Sequence, residues 1–133
     1  NVSSLAALVP MKHFAVYCGS KAYVRAFTES LALELEDSPV QVSCLVPGGT
    51  DTNFVERAGQ ELGGLAQKSL MSPKRCARVG IEGMLRGKTT IIPGLSNKLI
   101  SAASRTLSRR ALGRVSTGLI GAPVPRRGST NEP

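Results

Sequence analysis

The chain has 133 residues, with 17 Lys and Arg against 9 Asp and Glu, three Cys, eight Pro and no Trp. That length suits one ordinary domain able to bury a core, and 41% hydrophobic with 20% charged residues fits a globular protein rather than a disordered one. No apolar run approaches the roughly 20 residues of a spanning helix, so no helical membrane span is expected.

The net charge of +8 is unevenly spread. Residues 1–94 carry ten basic and eight acidic side chains. Residues 95–133 carry seven basic ones (Lys98, Arg105, Arg109, Arg110, Arg114, Arg126, Arg127) and one acidic, Glu132. This basic third has no Phe, Tyr or Trp to serve as stacking platforms, so no nucleic-acid partner is expected. It reads as a solvated basic helix and tail. The alternative is weak contact with an anionic membrane surface through residues 95–120. Cys18, Cys44 and Cys76 lie far apart without CxxC or Cys/His spacing. They read as reduced, mostly buried thiols of a cytoplasmic protein, with no metal site. His13, the single His, is expected on a surface or loop.

In chain order, residues 1–5 read as the end of an extended segment, and Pro10 marks a loop. Residues 14–36 carry a helical pattern, with Val16, Ala22, Phe27, Leu31 and Leu35 on one broad apolar face. Asp37-Ser38-Pro39 stops it. Residues 40–46 form a β-rich apolar run closed by Pro47-Gly48-Gly49, a strand buried on at least one face. Residues 50–71 are a polar surface excursion with a short helix near 53–63. Ser72-Pro73 opens the next helix, a capping Ser followed by Pro at the first helical position. Gly87 closes it. Residues 89–92 make another short strand, ended by Pro93-Gly94. One long helix is expected over 95–120, broken if anywhere at Gly113, with Leu99, Ile100, Ala103, Leu107, Leu112, Val115 and Leu119 opposite the arginines. Residues 122–133 read as a disordered tail. The order strand, helix, strand, helix, strand is that of an α/β protein with about three parallel strands. Three strands cannot form a covered doubly wound sheet. Because the chain also opens on Asn1 rather than Met, it is expected to belong to a longer domain whose N-terminal half precedes it.

Tyr17 and Lys21 sit four apart in the first helix and share a face. A Lys ammonium beside a phenol favours the phenolate, which suits proton exchange with an alcohol or carbonyl oxygen. Ser4 lies 13 residues before Tyr17 in Asn1-Val2-Ser3-Ser4; the helix reads Tyr17-Cys18-Gly19-Ser20-Lys21, and the next strand ends in Pro47-Gly48-Gly49-Thr50-Asp51-Thr52. The combination resembles the short-chain dehydrogenase/reductase family, in which N-x-S-S, Y-x-x-S-K and P-G-x-x-x-T follow in this order and at these separations.

The resemblance implies that residues 1–94 are the catalytic half of a Rossmann-like, doubly wound NAD(P)-binding domain. A basic amphipathic helix at 95–121 and the tail would follow. It implies an oxidoreductase interconverting a carbonyl and an alcohol on a small molecule by hydride transfer. Ser4 would hold the substrate oxygen, Tyr17 would be the general acid or base, and Lys21 would hold the nicotinamide ribose. With Tyr17 and Lys21, the residues Pro47, Gly48, Thr50 and Thr52 would line the nicotinamide end of NAD or NADP. It further implies a homo-oligomer. The family's T-G-x-x-x-G-x-G phosphate turn and its catalytic Asn precede this region and do not occur in the 133 residues. The chain alone is therefore expected to be inactive. A non-catalytic interaction module with a membrane-docking basic helix is the competing reading.

Overall fold

The computed structural model describes residues 1–57 and 70–120. Helix α1 spans Ala15–Glu34, strand β1 Cys44–Leu45, helix α2 Phe54–Arg57 and helix α3 Pro73–Leu85. Strand β2 covers Thr90–Ile91, helix α4 Leu95–Thr106 and helix α5 Arg109–Ile120. β1 and β2 are parallel, with Cys44 opposite Thr90 and Leu45 opposite Ile91. The N-terminal segment adds a third parallel line through the Val2–Leu45 bridge. Its rungs are Leu45 N–H to the Asn1 carbonyl at 2.9 Å, Ser3 N–H to the Leu45 carbonyl at 2.8 Å and Leu5 N–H to the Pro47 carbonyl at 2.8 Å. The architecture is thus the α/β arrangement expected, with β1 central and its Cys44, like Val46 just after it, fully buried. Burial pushes the Cys44 thiol above its usual range, because a thiolate loses hydration there. The strands are shorter than residues 40–46 and 89–92, since regular pairing holds only where neighbouring lines overlap.

Helix α1 packs against the segment that follows Ser4 and against β1. It is anchored through polar groups. Thr28, fully buried, donates to the Val24 carbonyl at 2.6 Å and accepts from Asn1 Nδ2 at 2.9 Å. Glu29 Oε1 accepts from Arg25 Nε at 2.8 Å and from Thr90 Oγ1 at 3.0 Å, tying the helix to β2. The apolar face expected from spacing packs only in part: Ala22, Leu31 and Leu35 are half-buried, whereas Val16 is 88% exposed and Phe27 is also exposed, stacked on Tyr23 with ring centroids 6.0 Å apart. Sequence periodicity finds apolar stripes but does not say which one a sheet covers.

Helix α3 begins as expected. Ser72 Oγ accepts from Arg75 N–H at 3.3 Å, with Pro73 as first helical residue. It ends in a Schellman turn: Gly87, at φ 69°, donates to the Met84 carbonyl at 2.9 Å, and Lys88 to the Gly83 carbonyl at 3.1 Å. The C-terminal region differs from the expected long helix. The break lies at Leu107-Ser108, not Gly113. Leu107 is extended (ψ 146°), and Ser108 restarts the helix by accepting from Ala111 N–H at 3.3 Å. Of its expected apolar face, Leu112 is buried, whereas Leu99, Ile100, Leu107 and Val115 are exposed. The expected helical stretch past Arg57 and the tail at 122–133 lie outside the described residues.

Gly83 sets the distance between α3 and the sheet. A Cβ there would stand 2.8 Å from Ile91 Cγ1 and 2.9 Å from its Cδ1 and Cγ2, and Ile91 is buried. Gly83→Ala gains about 1 kcal/mol in helix propensity but overpacks this contact, which costs about 1–3 kcal/mol. The expected outcome is a net loss in a denaturant melt. Gly19→Ala, where a Cβ meets nothing within 4 Å, is expected to stabilise instead.

Candidate functional site

The site forms where the parallel lines end. Ser4 is the cap of a 3-10 turn, Leu5–Ala7, and its Oγ accepts from Ala6 N–H at 3.2 Å. With an acceptor lone pair so engaged, the hydroxyl proton is free to donate outward. Lys21 is gripped twice by the same segment. Its ammonium donates to the Val2 carbonyl at 3.1 Å, and its own carbonyl accepts from Ser3 Oγ at 2.7 Å. The buried Ser3 is thereby accounted for as a structural link. One helical turn earlier, the Tyr17 ring lies with its centroid 5.8 Å from the Lys21 ammonium. Among the described residues, no hydrogen bond occupies the Tyr17 hydroxyl and none joins it to Ser4.

The turn after β1 lies alongside through the Leu5–Pro47 rung. Thr50 Oγ1 donates to the Gly48 carbonyl at 3.2 Å, and Thr50 bridges to Met71. Thr52 Oγ1 accepts from Phe54 N–H at 3.3 Å, capping α2. Ser4, Tyr17, Lys21, Pro47, Gly48, Thr50 and Thr52 thus lie on three consecutive pieces of chain that meet at one end of the sheet.

Three contributors escaped the sequence reading. Phe14 meets Tyr17 edge-on at 5.9 Å between centroids, and Phe54 meets it at 5.4 Å on the other side. These rings, with His13, Ala15, Val16 and Ser20, line an open cleft of about 630 Å³ beside Tyr17. His13 is indeed an exposed loop residue, held at φ 68° in the left-handed region where the chain turns into α1. The third is Asn97. Its Nδ2 donates to the Pro93 carbonyl at 2.6 Å, and its side chain fills the space where a Cβ on Gly48 would stand. The Pro-Gly pairs that end β1 and β2 were the available signal; nothing local pointed to α4.

The groups at this end of the sheet have the chemistry to hold a nicotinamide ribose. The Lys21 ammonium uses one N–H on Val2 and keeps two for hydroxyl acceptors. The space beside Gly48 and Gly49 is taken by Asn97 and Leu70, so the polar groups this turn offers are the hydroxyls of Thr50 and Thr52.

Residues 1–63 match the family model described as short chain dehydrogenase, and this part of the chain belongs to that family. Among curated proteins, it is 30% identical over 118 residues to SadH of Mycobacterium tuberculosis, a protein provisionally described as an oxidoreductase; the match covers 80% of this chain and 43% of that protein. It is 44% identical over 52 residues to the 2,5-dichloro-2,5-cyclohexadiene-1,4-diol dehydrogenase LinX of Sphingobium indicum, covering 39% of this chain and 21% of that one. Among solved structures, the short-chain dehydrogenase of Sphingobium yanoikuyae in complex with NADPH superposes with a TM-score of 0.64 at 23% identity, covering all of this chain and 48% of that one. The shared fold is a Rossmann one, and the chain spans less than half the length of these relatives.

The Gly48–Asn97 contact is testable by a double-mutant cycle. Gly48→Ala is expected to cost about 1–3 kcal/mol by overpacking. In an Asn97→Ala background the same change should cost markedly less, as read from denaturant midpoints.

Proposed function

We propose that the chain supplies the substrate-facing half of an NAD(P)-dependent oxidoreductase that interconverts a carbonyl and an alcohol. The gathering of Ser4, Tyr17 and Lys21 at the strand ends, with Val2 and Ser3 holding Lys21 in register, carries this reading. Lys21 and the Pro47–Thr52 turn would hold a nicotinamide, which would supply or take up hydride at the substrate carbon. Tyr17 gives its phenolic proton to the substrate oxygen in reduction and takes it back in oxidation. Ser4 donates to the same oxygen, its orientation set by the Ala6 N–H. Lys21 holds the ribose hydroxyls and places positive charge near the ring that becomes anionic as its proton leaves. Pro47, Gly48, Thr50 and Thr52 flank the nicotinamide.

The cleft walls of Phe14, Val16 and Phe54 suit the apolar body of a small-molecule substrate. The free thiols Cys18, Cys44 and Cys76 fit a reducing, cytoplasmic setting. No described helix is long and apolar enough to cross a membrane. The outward face of α1, with Tyr23 and Phe27 exposed beside Leu33, is the surface on which a homo-oligomer would assemble.

Tyr17→Phe in the full-length protein is expected to lower kcat by about 10²–10⁴-fold while NADPH or NADH still binds. Turnover within twofold of the unmodified protein, assayed by nicotinamide absorbance against ketones and alcohols, would exclude the assigned role. The 133-residue chain by itself is expected to bind neither cofactor tightly in a calorimetric titration, because the pyrophosphate turn is not among its residues. Micromolar affinity would overturn that assignment.

A further inference from the structure

Residues 5–14 connect Ser4 to Tyr17 and carry His13 and Phe14, two walls of the cleft. One 3-10 turn is the only regular structure in the connection, so its shape depends on what holds it from outside. Helix α5 does so from far along the chain. Ser116, 8% exposed, shares its hydroxyl proton between the Pro10 carbonyl and the Gly113 carbonyl, both at 3.0 Å. One turn earlier, Leu112 is buried against Leu8 and Val9, with Leu5 packed on the same cluster. Gly113 lies between them, close over Pro10. The apolar contact supplies adhesion but little direction. The Ser116–Pro10 hydrogen bond fixes where along the helix the loop sits.

We propose that α5 is a clamp on the Ser4–Tyr17 connection, and that Ser116 is a positioning residue for the cleft wall formed by His13 and Phe14. The consequence for substrate rests on the oxidoreductase reading above; the clamp itself does not. Cys18 gives an independent reporter, since its thiol is half-buried and donates to the Val9 carbonyl at 3.9 Å within the clamped segment.

The test uses the full-length protein carrying Ser116→Ala or Ser116→Thr. In Ser116→Ala, amides of residues 8–14 are expected to exchange with deuterium about fivefold faster, the yield of one lost hydrogen bond in a locally opening segment. Amides of β1 should keep their rates. Cys18 alkylation by iodoacetamide should accelerate to a similar degree, whereas buried Cys44 stays unreactive. KM for acetophenone or cyclohexanone should rise severalfold with KM for NADPH or NADH unmoved, and Ser116→Thr should restore every value.

Unchanged exchange and labelling in Ser116→Ala would overturn the clamp. Loosening of 8–14 with an unchanged ketone KM, or an equal rise in cofactor KM, would overturn the positioning role. Absence of hydride transfer in the unmodified protein would count against the oxidoreductase reading, and exchange and labelling would then decide the clamp alone.

Discussion

The hydrogen bond from Leu5 N–H to the Pro47 carbonyl, 2.8 Å long, is the constraint on which the site depends. It is the last rung of a parallel ladder, and parallel pairing brings like ends of strands together. Ser4 therefore finishes its line at the same level at which the Pro47-Gly48-Gly49 turn begins. An antiparallel pairing of the same segments would send one of them to the opposite end of the sheet. The residues proposed for the site are arranged around that level. Lys21 reaches it through Val2, Thr50 through Gly48, and Phe54 through the Thr52 cap.

The helix that carries Tyr17 is pinned to this sheet by polar contacts as well as by half-buried apolar side chains such as Val24 and Leu31. A fully buried Thr28 and a half-buried Glu29 that bonds both Arg25 and Thr90 specify register more sharply than apolar side chains would, because each hydrogen bond tolerates only a narrow range of positions. Sliding α1 by one residue would break the Asn1–Thr28 and Glu29–Thr90 bonds together. Tyr17 and Lys21, lying on the same rigid helix as Thr28, inherit that register.

Much of this was legible where the signal is local. Ser72-Pro73 and Gly87 marked the ends of α3 because capping chemistry is written in adjacent residues. Ser4, Tyr17 and Lys21 stood out because they match the N-x-S-S and Y-x-x-S-K motifs of the family the sequence resembles. Non-local decisions were hidden. Val16 and Phe27 looked like core by periodicity, yet α1 turns Thr28 to the sheet. Gly113 looked like a break, but Ser108 supplies the competing cap. Asn97 and Ser116 carry no motif at all, and their importance comes only from what the fold sets against them.

The Ser116–Pro10 bond joins residues 106 apart. On a ribosome adding about 5–20 residues per second, Pro10 is made on the order of ten seconds before its partner. Throughout that interval Leu8 and Val9 have no Leu112 to cover them. The stretch between Ser4 and Tyr17 is thus among the last of the described parts to gain its cover. A nascent chain stalled before α5 would present that apolar segment to chaperones or to its neighbours.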